Sequence, residues 1–298
     1  MARVALPRTT ARSTANGPSL MGRAAGRALL YLLLIALSAL ILLPLSWMVT
    51  AALKPSTAPV FTYPPEWFPT THWHWQTFRD ALTNPDQPFL RYALNSTFIA
   101  VMTVVGSVVS CSMIAYPFAR LRFRGRDRLF TVVIATMLMP AAVLLIPQFL
   151  IFYRLGWYGT YLPLIVPSFT GNAFFIFLLR QYMRTIPRDL DEAARIDGAG
   201  YWAIYSRIIV PLTVPALTVV AVFTFIGSWN DFFGPLIYLD DQDEFTMALA
   251  LATFSRRVGM EWTEFMAAGL VAMIPPLVLY FLAQNKLIGG IASVGIKG

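Results

Sequence analysis

Few residues in this chain are of a type and spacing that could do chemistry. The segment 189–200, "DLDEAARIDGAG", gathers Asp189, Asp191 and Glu192 ahead of Ala193, Ala194, Arg195 and Gly198. Pro187 biases the residue before it away from helix, and Asp189 is suited to cap a new one. Acids in a first turn complement the helix dipole, and Gly198 and Gly200 fall where a short helix would stop. Leu190, Ala193, Ala194 and Asp197 share one helical face, which the two alanines keep shallow enough for another backbone to approach. These residues fit either a connector between two larger elements or a docking helix for a partner. A second group lies in "SWNDFFGP", 228–235, where Asn230 and Asp231 sit among Trp229, Phe232 and Phe233. A carboxylate in such apolar sequence is costly unless it faces water or a partner. It reads as a pathway residue, the alternative being packing beside the Gly234-Pro235 break.

Other patterns carry no chemistry. His72-Trp73-His74 has no third metal ligand nearby and suits an interfacial position between tryptophans. "GIASVG", 290–295, has the spacing of a phosphate loop, but Ile296 stands where its lysine is required. Cys111 is the only cysteine, so an intrachain disulfide and a cysteine metal cluster are both excluded. No zinc-protease helix and no nucleophile-elbow motif is present.

The elements that must position these groups are membrane spans. The 298 residues are 57% hydrophobic and 13% charged, about half the charged fraction of an ordinary soluble domain, and mean hydropathy is +0.61. The net charge of +8 therefore reads as a cationic fringe at a membrane surface rather than a nucleic-acid site. Apolar runs long enough to cross about 30 Å of hydrocarbon occur at 28–53, 92–118, 129–152, 162–179, 208–238 and 266–283. This predicts an all-α integral membrane protein with six transmembrane helices. The first run is too long for a signal-peptide core and is read as a retained span. Prolines and glycines inside several spans, among them Pro44, Pro140, Pro147, Pro215 and Pro275, suit helices that line a water-filled route.

Of the 23 Lys and Arg, 17 fall on the side that holds both termini and 6 on the other. The positive-inside rule places the termini and segment 189–211 in the cytoplasm. The chain then divides into a basic N-terminus, 1–27, the first span, 28–53, an outer loop, 54–91, a five-span domain, 92–284, and a cytoplasmic tail, 285–298. The loop "RLRFRGRDR", Arg120 to Arg128, reads as a topology determinant and a contact for anionic membrane lipid.

Glu192-Ala193-Ala194, three residues, Gly198, nine residues, Ile208, one residue, and Val210-Pro211 resembles the EAA signature of permease subunits of binding-protein-dependent ABC importers. Val210 in place of leucine is the one departure. The stretches "NSTFIAVMTVVGSVVSCSMIAYPFARLRFRGRD", "LLRQYMRTIPRDLDEAARIDGA" and "FTFIGSWNDFFGPLIYL" resemble the carbohydrate-importer branch, in particular the second permease of maltose-type systems. The likeness extends from about Asn95 to Gly298. It implies the type I ABC importer permease fold in a prokaryotic cytoplasmic (inner) membrane, with the EAA helix docked on an ATP-hydrolysing subunit. Its implied partners are a homologous second permease subunit, two ATPase subunits and an exported solute-binding protein. Catalysis, cofactor and metal sites are not expected in this chain; ATP and magnesium would be bound by the partner subunits. Docking is expected at Glu192, Ala193, Ala194, Arg195, Gly198, Ile208 and Pro211. A sugar-type solute is expected to pass Trp229, Asn230, Asp231 and Phe232, whose aromatic faces can stack on sugar rings. A looser version of the family's C-terminal tail suggests an ATPase contact at Gly295 and Lys297. The competing class is an ion-coupled secondary transporter acting without an ATPase. It predicts repeated halves and ionisable residues near the membrane midplane, and the sequence offers neither clearly.

Overall fold

The computed structural model describes residues 20–68, 73–255 and 261–295, with side chains described between 26 and 284. Among the described residues the protein is helical, without strands. In chain order the helices are α1 (Leu20–Ala52), α2 (Gln76–Thr83), α3 (Phe89–Arg120), α4 (Arg126–Thr136), α5 (Ala141–Arg154), α6 (Leu162–Ile165), α7 (Ala173–Thr185), α8 (Asp189–Ile196), α9 (Tyr201–Ile204), α10 (Val210–Trp229), α11 (Phe233–Tyr238), α12 (Met247–Phe254) and α13 (Trp262–Gly295). Among the described residues, five stretches are long and apolar enough to cross a membrane: 26–52, 89–120, 162–185, 201–229 and 262–284. The pair α4 and α5 makes a sixth if it counts as one span.

Small residues explain why α3 is the central helix. Gly106, Ser107, Ser110, Cys111, Ser112, Ala115 and Ala119 are buried along it, and small side chains are what let membrane helices approach. α3 packs against α7, α10 and the 3-10 turn Val166–Thr170. At Gly106 an added Cβ would run into Ser168 Oγ and lie 2.7 Å from the Phe169 ring. Nearby, Ser110 Oγ donates to the Ser168 carbonyl at 2.9 Å. By contrast α1 exposes its apolar surface along most of its length, as a lipid-facing helix does. Only its last turns are covered, where Ala51 and Ala52 pack with Met266 and Ala267 of α13.

Three spans are interrupted rather than running as single helices. The expected span 129–152 is bent by 94° between α4 and α5. Pro140 stands at the break, where it restricts Met139 and begins α5 from an extended conformation. The span from 162 starts as α6 and a 3-10 turn, turns at Gly171 (φ 91°), and restarts as α7 under an Asn172 cap whose side chain accepts the N–H groups of Phe174 and Phe175. The expected span 208–238 stops at Trp229, and Asn230 to Phe232 separate it from α11. At the other end of the chain, the expected tail from 285 instead continues α13 to Gly295.

Helices α9 and α10 are joined by a π-helical turn, Tyr205–Ile209. Pro211 has no N–H to offer the carbonyl four residues back, and its ring crowds that turn. The wider turn just before Pro211 accommodates both effects.

Candidate functional site

Helix α8 projects from one end of the bundle, where the acids at its start and the glycine after it give it defined limits. Asp189, Asp191 and Glu192 fill its first turn. Arg188, not Asp189, holds the capping position, and no side chain caps it. At the other end the Ala199 N–H bonds the Ala194 carbonyl at 2.9 Å and the Gly198 N–H bonds the Arg195 carbonyl at 3.0 Å. With Gly198 at φ +82°, this is the Schellman closure. A Cβ on Gly198 would meet nothing within 4 Å, so backbone conformation, not internal crowding, is what requires glycine here.

The alanine pair is split by the fold. Ala193 is exposed, whereas Ala194 is buried in the protein's own core with Ile186, Ile204 and Ile209. Ala194 is thus withdrawn from the predicted docking surface. Ile208 also packs against that core, and Pro211 shapes the start of α10, so neither belongs to the outward face of α8. What α8 and α9 do present outward is Ile196, 88% exposed, with Leu190, Tyr201 and Trp202, beside the exposed Glu192 and Arg195. Arg195 lies over the Tyr201 ring at 5.3 Å. Exposed large apolar side chains beside charged ones are the composition of a surface suited to a protein partner.

The residue that sequence reasoning missed is Arg120, read there only as one of a run of arginines. It is buried at the end of α3 and uses all five of its N–H donors. Its Nε donates to Asp191 Oδ2 at 2.8 Å and its Nη2 to Asp191 Oδ1 at 2.9 Å, a bidentate charge-assisted pair. The other donors reach the carbonyls of Met183 (3.2 Å), Ile186 (2.7 Å) and Pro187 (2.9 Å). Asp191 is accordingly buried, unlike its neighbours Asp189 and Glu192. Breaking one partner of such a buried pair typically costs about 3–5 kcal/mol, because the remaining charge is left uncompensated. Arg180 of α7 makes the converse contact. Its Nε donates to the Phe118 carbonyl of α3 at 3.2 Å, and its guanidinium lies 3.9 Å over the Phe130 ring of α4.

The second predicted group lies at the break after α10. Trp229 is buried, donates from Nε1 to the Ala272 carbonyl at 3.0 Å, and stacks on Phe225. Its indole therefore packs α10 against α13, and with Asn230 it lines a cavity of about 410 Å³ shared with Met247, Gly269 and Met273. Asn230 Nδ2 closes the last turn of α10 on the Ile226 carbonyl at 2.9 Å, and Asp231 Oδ1 accepts the Gly234 N–H at 3.1 Å at the start of α11. Asp231 also lines a cavity of about 170 Å³ with Thr103, Ser228 and Thr246. Phe232 is half-buried. Here a carboxylate and three hydroxyl residues line a small void among apolar spans.

At the opposite end, Gln242 Nε2 bonds the Asp86 carbonyl and the Tyr92 hydroxyl, and Arg91 pairs with Asp243 at 2.8 Å. Burial pushes the Glu244 carboxyl above the usual range, with Asp241 and Asp240 adding to the effect. Among the described residues no group of three or more His, Cys, Asp or Glu is placed to hold a metal ion. His74 instead pairs through Nδ1 with Thr77 Oγ1 at 3.2 Å. His72 and Lys297 lie outside the described residues, and Gly295 is the last residue of α13.

The fold and the site together make a membrane bundle of interrupted helices with a short exposed helix-turn at one end. Residues 107–291 match the family described as binding-protein-dependent transport system inner membrane component, and the chain belongs to it. It is a multi-pass permease subunit of an ABC importer. It is 30% identical over 280 residues to the maltose/maltodextrin transport system permease protein MalG of Yersinia pestis, covering 90% of this chain and 92% of that one. It is 29% identical over 270 residues to the diacetylchitobiose uptake system permease protein NgcG of Streptomyces coelicolor, covering 89% and 87%. In fold it is similar to a chain of a bacterial ABC transporter involved in the import of the acidic polysaccharide alginate, with a TM-score of 0.77 at 24% identity over 90% of this chain and 98% of that one.

Proposed function

We propose that this chain moves a sugar-type solute inward as one half of a permease pair. The other half would be a homologous subunit, with two ATPase subunits binding ATP and magnesium on the cytoplasmic side and a solute-binding protein delivering from outside. The observation that carries this reading is the exposed face of Leu190, Ile196, Tyr201 and Trp202 beside Glu192 and Arg195, on a helix rigidly closed by Gly198. The positive-inside distribution supports a cytoplasmic position for that face and both termini, where an ATPase would meet it. Hydrolysis would shift the docked helix and bias the spans between inward-open and outward-open arrangements, as a ligand biases any two-state element. A carbohydrate solute is supported by the maltodextrin and diacetylchitobiose systems among the relatives and by the Asp231, Thr103 and Ser228 hydroxyl-binding groups at the break.

The test is to purify the tagged chain from its native membrane and identify what accompanies it. An ATP-hydrolysing protein, a second permease and a binding protein holding a sugar are expected. A binding protein loaded with glycerol phosphate would keep the permease reading and change the solute class. Recovery of a lone chain whose uptake collapses with the ion gradient would overturn both.

A further inference from the structure

We infer that Arg120 is a positioning residue that makes α3 the lever through which docking at α8 moves the membrane bundle, an inference that rests on the permease reading above. The mutual contacts place the C-terminal ends of α3 and α7 side by side. Each ends with carbonyls that have no intrahelical donor and with the negative end of its dipole. Two such ends repel unless cations lie between them. Arg120, from α3, donates to the Met183 carbonyl of α7 and to Ile186 and Pro187 beyond it, while Arg180, from α7, donates to Phe118 of α3. Each helix is thus closed by the other helix's arginine, and the two ends form one unit.

Asp191 then ties that unit to the docking helix. It is buried in the first turn of α8 and takes both remaining donors of Arg120. The segment after α8 is held by α3 as well: Tyr116 Oη donates to the Tyr201 carbonyl at 3.3 Å, and the Ser112 and Tyr205 hydroxyls lie 2.7 Å apart. α3 therefore grips the docking segment on both sides of its exposed face. Further along, the same helix meets the broken span at Gly106 and Ser168, and Thr103 of α3 lines the cavity with Asp231. A displacement of α8 cannot be absorbed locally without breaking the buried pair, so it must be carried along α3 toward that cavity.

The experiment uses the complete transporter, purified with its own ATPase subunits and binding protein and reconstituted in vesicles. ATPase retention, ATP hydrolysis and solute moved per ATP are measured for Asp191→Asn, Asp191→Glu and Arg120→Lys. In Asp191→Asn the arginine keeps its three carbonyl contacts, so retention and hydrolysis should persist while solute moved per ATP falls by about tenfold, within the range of a typical coupling energy. Asp191→Glu, which keeps the charge, should recover most of that ratio. Wild-type transport per ATP in Asp191→Asn would overturn the inference. Loss of ATPase retention would also overturn it, since the pair would then serve only to shape the docking surface. If Asp191→Asn fails to accumulate, Arg120→Lys is read by the same ratio, and an unchanged ratio there has the same force. Absence of an ATPase from the wild-type preparation would instead refute the permease reading.

Discussion

Substitution of Gly198 separates two reasons for a glycine in the docking turn. Its φ of +82° lies in the left-handed region, which costs an ordinary L-residue roughly 1–2 kcal/mol. That amount shifts a local equilibrium by about 5- to 30-fold, here against the closed turn in which Ala199 and Gly198 bond the carbonyls of Ala194 and Arg195. Within this chain nothing lies within 4 Å of an added Cβ, so strain alone ranks the variants Asn above Ala above Val, because asparagine tolerates this conformation. A partner seated over the turn predicts a different order, since asparagine projects further than alanine. Gly198→Ala should lower ATPase retention on the tagged chain by about 5- to 30-fold, and Gly198→Asn by at least as much, with both inserted at wild-type abundance. The assay is quantification of co-purified ATPase together with solute uptake. Near-normal retention and uptake in Gly198→Asn, with loss only in Gly198→Ala, would show that the turn is strained but uncovered and would refute a partner contact at this position.

The other expectations concern parts of the molecule remote from that turn. Gly106→Ala drives a methyl into Ser168 and Phe169 where α3 meets the 3-10 turn; overpacking of about 1–3 kcal/mol should lower thermal stability in detergent, whereas Gly227→Ala, with nothing within 4 Å, should leave it unchanged. Trp229→Phe removes the bond to the Ala272 carbonyl and should cost about 1 kcal/mol, seen as a lower melting temperature with the solute preference intact; a changed preference would instead make Trp229 a pathway residue. Asp231→Ala should alter the concentration dependence of uptake while abundance holds, because its carboxylate faces the cavity shared with Thr103 and Ser228. Glu244 has a carboxyl raised above its unfolded value by burial and by Asp241 and Asp240, so the folded state holds its proton more tightly and stability falls as pH rises through the window between the two values. Thermal unfolding followed across that window should show this slope, and Glu244→Gln should flatten it and stabilise the protein at neutral pH.

The docking helix was readable because its signals are local: Pro187 before it, acids in its first turn and Gly198 after it. Which alanine faces outward was not, since helical spacing places Ala193 and Ala194 on nearby faces without saying which of them meets the chain's own core. Arg120 was hidden for a different reason. Its identity matches Arg122, Arg124, Arg126 and Arg128, and only tertiary placement beside Asp191 and the carbonyls after α7 distinguishes it from a solvated charge run. Pro140 was visible as a break inside its span, but the 94° bend it allows was not, and the stop after Trp229 escaped because hydropathy averaged over a span stays high across a few non-helical residues. At Asn230 and Asp231 the polar side chains that suggested a route bond the free backbone groups of the break itself. The six apolar runs and the basic fringe were visible in composition alone, because lipid imposes those requirements on any spanning chain.

The central claim is that α8 is covered by a separate ATP-hydrolysing protein, and Ile196 offers the most direct measurement of it. Cys111, the only native cysteine, is buried, so a cysteine placed by Ile196→Cys, at a site 88% exposed, would be the sole accessible thiol of this chain. Thiol-directed crosslinking in native membranes should join it to an ATPase polypeptide, with a yield that changes when ATP is added. A thiol that reacts freely with a soluble reagent, forms no such adduct and belongs to a chain still importing solute would contradict the account.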